Sequence, residues 1–74
     1  MRRWEEMTAG ERLKMLRTEK HLSQNEVGQK LGIARRTISL WENGQSNPNL
    51  VCLGMLAEFY GVSTDFIVFG KNKG

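Results

Sequence analysis

The chain is poor in the residues that would point to most kinds of chemistry. Its 74 residues include one cysteine, one histidine and one proline. A single thiol, Cys52, excludes an intramolecular disulfide, and with His21 as its only companion it offers no zinc-ligand spacing, so no metal site is expected. Charges interrupt every hydrophobic stretch, and nothing approaches the roughly 20 apolar residues of a membrane span. The opening MRRWEEM has basic residues but no apolar segment behind them, unlike a secretory signal. A cytoplasmic protein without a membrane partner is therefore expected. His21, Cys52 and the carboxylates form no grouping of nucleophile, base and orienter, which argues against an enzyme and against a cofactor.

What is present is a small basic chain of net charge +3 and pI near 9.4. The length suits one domain that must stand on packing alone. Charge of this size points only weakly to nucleic acid, so the position of the cations has to decide.

The order of capping residues, apolar positions and glycines reads as a series of short helices, with no strand signals. Thr8 and Glu11 have capping-box spacing, and Leu13 and Leu16 supply the stripe of a first helix over about residues 9 to 20. Lys20 and His21 fall at its carbonyl pole, which suits cations. Ser23 and Glu26 form a second capping box, with Leu22 and Val27 at the positions of a hydrophobic staple. Gly32 ends this second helix, Gly44 the third and Gly61 the fourth, because glycine takes the left-handed conformation common at helix ends. Asn47 and Pro48 are expected to introduce the fourth helix, with Pro48 in its first turn. Ser63 and Asp65 can cap a last turn over Phe66 to Val68, followed by a frayed GKNKG.

The third helix raises a question. Residues 35 and 36 are both arginine, placed on a first turn whose dipole favours acidic side chains. At 100° per residue, Ala34, Ile38 and Trp41 share one face, and Arg35, Arg36, Ser39, Leu40 and Asn43 share the other. With Ile38 and Trp41 anchored in the core, both arginines turn outward. A polyanion lying across this end would offset the dipole penalty through charge-assisted hydrogen bonds. DNA is such a partner, and a guanidinium pairs bidentately with O6 and N7 of guanine. Two solvated surface arginines are the competing reading.

The segment LSQNEVGQKLGIARRTISLWENGQSNP resembles the helix-turn-helix of the phage repressor and Cro family, the XRE-like regulators. ERLKMLRTEK before it and LGMLAEFYGVSTDFIVFG after it extend the likeness from about Thr8 to Phe69. The resemblance implies an all-α fold, a compact five-helix lambda-repressor-like DNA-binding domain whose helices 2 and 3 form the helix-turn-helix. It divides the chain into an N-terminal arm (1–7), the domain (8–69) and a flexible tail (70–74).

The resemblance also assigns roles residue by residue. Ala34, Arg35, Arg36 and Leu40 occupy base-reading positions, while Gln24, Ser39, Asn43, Gly44 and Gln45 lie against phosphate. Leu40 departs from the polar residue often found at its position; it either touches a thymine methyl or is idle surface. Ala34 replaces a usual serine or threonine cap, which forfeits roughly 1 kcal/mol. Gly28 stands where alanine is usual and lets helices 2 and 3 approach closely. Arg17 and Glu42 resemble the family's internal ion pair, which positions the reading helix.

Regulators of this type usually bind as dimers across half-sites about 34 Å apart. On the fourth helix, Leu50, Leu53, Leu56, Ala57 and Tyr60 are expected to face the core, leaving Val51, Met55 and Phe59 as a second apolar stripe. With Phe66 and Phe69 it suggests a homodimer interface. Function then reads as a sequence-specific, double-stranded-DNA-binding transcriptional regulator, a dimeric prophage-type or stand-alone repressor on a palindromic operator. The alternative is an antitoxin-like subunit with a second protein partner and secondary DNA binding.

Overall fold

A computed structural model describes residues 2–73; Met1 and Gly74, the outermost residues of the expected arm and tail, lie outside it. Five α-helices follow a short 3-10 turn at Trp4–Glu6: α1 (Ala9–Glu19), α2 (Gln24–Leu31), α3 (Arg35–Glu42), α4 (Leu50–Tyr60) and α5 (Thr64–Phe69). There is no strand among the described residues.

The helix starts follow from side chains that satisfy otherwise unpaired N–H groups. Thr8 Oγ1 accepts from the Glu11 N–H at 3.1 Å, and Glu11 Oε1 accepts from the Thr8 N–H at 2.9 Å. Ser23 and Glu26 repeat the arrangement at 3.0 and 2.9 Å. The backbone hydrogen bond in each box holds the glutamate's carboxyl below its usual range, and the Arg2 guanidinium adds to the effect at Glu11. At the other ends, Gly32 and Gly61 adopt φ of 70° and 69°. Helix α1 closes without glycine: His21 itself takes φ 58°, and the Leu22 N–H bonds back to the Arg17 carbonyl at 3.3 Å. A helix-terminal turn of this kind needs a left-handed residue, and here a histidine accepts the strain.

Leu13 and Leu16 of α1, Val27 of α2, Ile38 and Trp41 of α3, Leu56, Ala57 and Tyr60 of α4 and Ile67 of α5 form one core. Burial pushes the Tyr60 hydroxyl up to about 12. The start of α4 differs from the sequence reading. Asn49 is its cap, accepting from the Cys52 N–H at 2.8 Å, so Pro48 precedes the helix instead of occupying its first turn. Leu50 becomes the first helical residue, lies past the rim of the core and is 84% exposed, while Leu53 is only half-buried.

The chain's two ends pack on the domain and on each other. Trp4 stacks at 5.0 Å on Phe66, Lys71 approaches Glu5 at 3.9 Å, Ser63 bonds to Asn72, and the Lys73 ammonium lies 4.3 Å over the Phe69 ring. Their clasp is Arg12, buried on α1. It donates to the carbonyls of Trp4 and Met7 on one side, and to those of Ile67 (2.7 Å) and Val68 (2.6 Å) on the other. Burial lowers its guanidinium's pKa from the usual value, against the opposing charge of Glu11, and the four carbonyl dipoles help compensate for its desolvation. Arg2 is held by an ion pair with Glu11.

Candidate nucleic-acid interface

Helix α3 is anchored from one side only. Ile38, Trp41 and Glu42 are buried; Arg35 and Arg36 are exposed, and neither has an ion-pair partner among the described residues. No acidic side chain stands in the first turn to offset them. Ala34 is the cap by position, with extended backbone and no side-chain hydrogen bond. It is exposed, which moves it off the face it was expected to share with Ile38 and Trp41. Ser39 and Leu40 are half-buried along the flank.

Past the helix, Asn43, Gly44 and Gln45 are exposed. Gly44 takes φ 77° and its N–H bonds to the Trp41 carbonyl at 3.1 Å; the Gln45 N–H bonds to the Leu40 carbonyl at 2.9 Å and the Asn43 N–H to the Ser39 carbonyl at 3.0 Å. These backbone donors are committed within the turn. The donors left free for a ligand are therefore on the side chains of Asn43 and Gln45. Asn43 makes a long 3.5 Å contact to Ser39 Oγ.

The start of α2 is tied to the end of α3 by a buried network. Arg17 reaches Glu42 with two parallel hydrogen bonds, Nε to Oε2 at 2.8 Å and Nη2 to Oε1 at 2.9 Å. Its Nη1 donates to the Leu22 carbonyl at 2.8 Å, just before the α2 cap. The bond to Glu42 holds the Arg17 pKa above its ordinary value. The Glu42 side chain is 2% exposed and accepts a third bond, from Gln24 Nε2 at 3.1 Å. Helices α1, α2 and α3 are thereby locked in one relative orientation, as a buried pair can do even where it adds little net stability.

Two residues that sequence reasoning passed over set the same geometry. Gly10 lets α1 lie directly against the C-terminal carbonyls of α3, and Arg12 clasps the ends of the chain. The available signals were a glycine inside a helical stretch, where it costs about 1 kcal/mol relative to alanine, and an arginine one turn ahead of the core residue Leu16. The sequence contained no signal for the Gln24 to Glu42 bond.

The model of the helix-turn-helix family matches residues 13–67 of this chain. The SPbeta prophage-derived HTH-type transcriptional regulator YonR of Bacillus subtilis is 44% identical over 63 residues, which cover 85% of this chain and 58% of that protein. The HTH-type transcriptional activator BcrR of Enterococcus faecalis is 35% identical over 65 residues, 88% of this chain and 32% of that one. The cryptic phage CTXphi transcriptional repressor RstR of Vibrio cholerae is 37% identical over 51 residues, 69% and 46% respectively. The chain thus spans less than two thirds of the length of these relatives. Among solved structures, the P22 c2 repressor in complex with a synthetic operator superposes with a TM-score of 0.84 at 28% identity, over 88% of this chain and 98% of that one. The chain belongs to the helix-turn-helix family of transcriptional regulators, of the phage-repressor type its sequence resembles.

Proposed function

We propose that this domain binds double-stranded DNA sequence-specifically through α3 and acts as a cytoplasmic, non-enzymatic repressor on a palindromic operator. The observation that carries the reading is the pair of exposed, unpartnered arginines on the first turn of a helix whose opposite face is fixed in the core. Nothing within the domain offsets their placement at a positive dipole end, whereas phosphates and guanine edges would. The repressor at TM-score 0.84, solved on operator DNA, supports the same use of the surface.

Dimerisation is part of the proposal. Val51 is 71% and Phe69 46% exposed, with Met55 and Val68 exposed beside them. Phe59 and Phe66 are half-buried against the domain's own core, so they would support this surface from beneath more than form it. The same exposed apolar face of α4 is what an antitoxin-like subunit would offer to a different protein.

The test is selection of bound sequences from random duplex DNA at two salt concentrations. An enriched palindrome with half-sites one helical turn apart is expected. Binding without enrichment, collapsing as salt rises, would reduce the arginines to general attraction and shift attention to a protein partner for α4.

A further inference from the structure

Two clefts share a wall where α1 meets the α3–α4 turn. The inner one, about 280 Å³, lies between α1, the end of α3, α4 and α5, and its sides are Leu13, Trp41, Pro48, Leu53, Ile67 and Val68. The outer one, about 840 Å³, is open and polar and runs between α1 and the turn, past Lys14, Asn43 and Gly44. Ala9, Gly10 and Asn47 border both, so the apolar slot adjoins the polar groove. Charge is sorted within that groove. Glu11 and Glu42 both border it, but Arg2 pairs with the first and Arg17 with the second. Lys14 is exposed and has no ion-pair partner among the described residues, so it leaves the groove with an uncompensated positive charge.

We propose that the two clefts form one site for a small amphiphilic carboxylate, with its apolar body in the inner slot and its carboxylate on Lys14, beside the amides of Asn43 and Asn47. An apolar cavity of about 150 Å³ holds one benzene ring, so the inner slot suits a body of two fused rings. Few polar groups on an apolar pocket are what a small-molecule site needs: burial supplies affinity and one charged contact fixes orientation. Such a ligand sets an anion beside Asn43 and Gly44, in the turn assigned to phosphate above. Repulsion between like charges then makes it an antagonist of DNA binding. That consequence rests on the DNA-binding reading; the site itself does not.

The probe is 2-naphthoate, with 2-naphthalenemethanol as its neutral counterpart, titrated into the 74-residue chain and followed by NMR. The Gly10 and Leu53 amides and the Trp41 indole N–H should shift saturably with either compound, while the indole of Trp4, which lines neither cleft, stays still. Lys14→Ala, at an exposed position, should weaken naphthoate roughly tenfold, since a hydrogen bond to a charged group is among the stronger ones, and leave the alcohol unchanged. Ala9→Leu, which enlarges the shared wall, should weaken both. Shifts that never saturate, or that centre on Val51 and Met55, overturn the site as adsorption to the exposed face of α4. An equal effect of Lys14→Ala on the two compounds overturns the anionic head.

Titration of a short mixed-sequence duplex against the naphthoate-saturated chain reads the coupling separately. Binding should be several-fold weaker than without naphthoate, with a smaller effect of the alcohol, and duplex should weaken naphthoate by the same factor. Undiminished duplex affinity at saturation overturns the antagonism and leaves the site standing. No duplex binding by the native chain overturns the antagonism together with the DNA reading, while the NMR shifts still decide the site.

Discussion

A methyl group on Gly10 would stand 2.4 Å from the carbonyl oxygen of Trp41, closer than any real contact of that kind. The oxygen belongs to the backbone at the end of α3, so it cannot swing aside as a side chain would. Alanine is the better helix former by about 1 kcal/mol, but overpacking of this sort costs typically 1–3 kcal/mol. Gly10→Ala should therefore lower stability despite its propensity gain. Gly28→Ala should do the same, because its methyl group would meet the Ile33 carbonyl at 2.4 Å. Urea unfolding decides: an unchanged or raised midpoint for either variant would show that the helices separate without penalty.

Arg12 predicts a graded series. Arg12→Ala strips the carbonyls of Trp4, Met7, Ile67 and Val68 of their donor, and a buried acceptor left unpaired costs about 1–3 kcal/mol. Arg12→Lys should fall between alanine and the native chain, because one ammonium cannot span four carbonyls. Hydrogen exchange should show residues 2–7 and α5 opening together in the native chain and separately in Arg12→Ala. Joint opening that persists in Arg12→Ala would mean that the Trp4 to Phe66 contact, not Arg12, joins them.

Arg35→Ala and Arg36→Ala should each cost roughly 1–3 kcal/mol of binding and relax preference at one base position, leaving the fold intact. Uniform loss across all sequences would make that arginine a phosphate contact. Leu40→Ala should matter only on sites bearing thymine opposite it, and replacing that thymine by uracil should reproduce the effect in the native chain. Indifference to both changes would leave Leu40 as idle surface.

Val51→Asp should dissociate a dimer and leave a folded monomer, since the side chain is largely exposed in the single domain. Phe59→Asp should instead destabilise the monomer, because Phe59 packs on the core. Sedimentation and thermal unfolding separate the two. A dimer that survives Val51→Asp lies elsewhere on the surface.

The capping glutamates predict the acid limb of the stability profile. Glu11 and Glu26 have carboxyl pKa values lowered in the folded state, so the native chain binds fewer protons there than the unfolded chain does. Their contribution is present above the unfolded value of about 4.3 and fades as pH falls through the lower folded value. Glu11→Gln with Glu26→Gln keeps both capping acceptors but removes both titrations. Urea midpoints should fall less steeply below pH 5 in the double variant. Equal acid slopes would place the acid sensitivity in other carboxylates.

The helices were legible in the sequence because their ends are local: a cap reaches its N–H groups three residues on, and a left-handed glycine closes its own turn. Thr8 with Glu11, Ser23 with Glu26, Gly32 and Gly61 needed only near neighbours, as did the outward turn of Arg35 and Arg36 once Ile38 and Trp41 were set inward. The start of α4 differs from the sequence reading because Asn47 and Asn49 both suit a cap locally, and it is Asn49 that accepts from the Cys52 N–H. What the tertiary structure decided are contacts between residues far apart along the chain. Gly10 against Trp41, Arg12 between the two ends and Gln24 on Glu42 each join groups whose chemistry is ordinary in isolation. A glycine, an arginine and a glutamine show no local pattern that names the atom they will meet, because that atom arrives only when the helices pack.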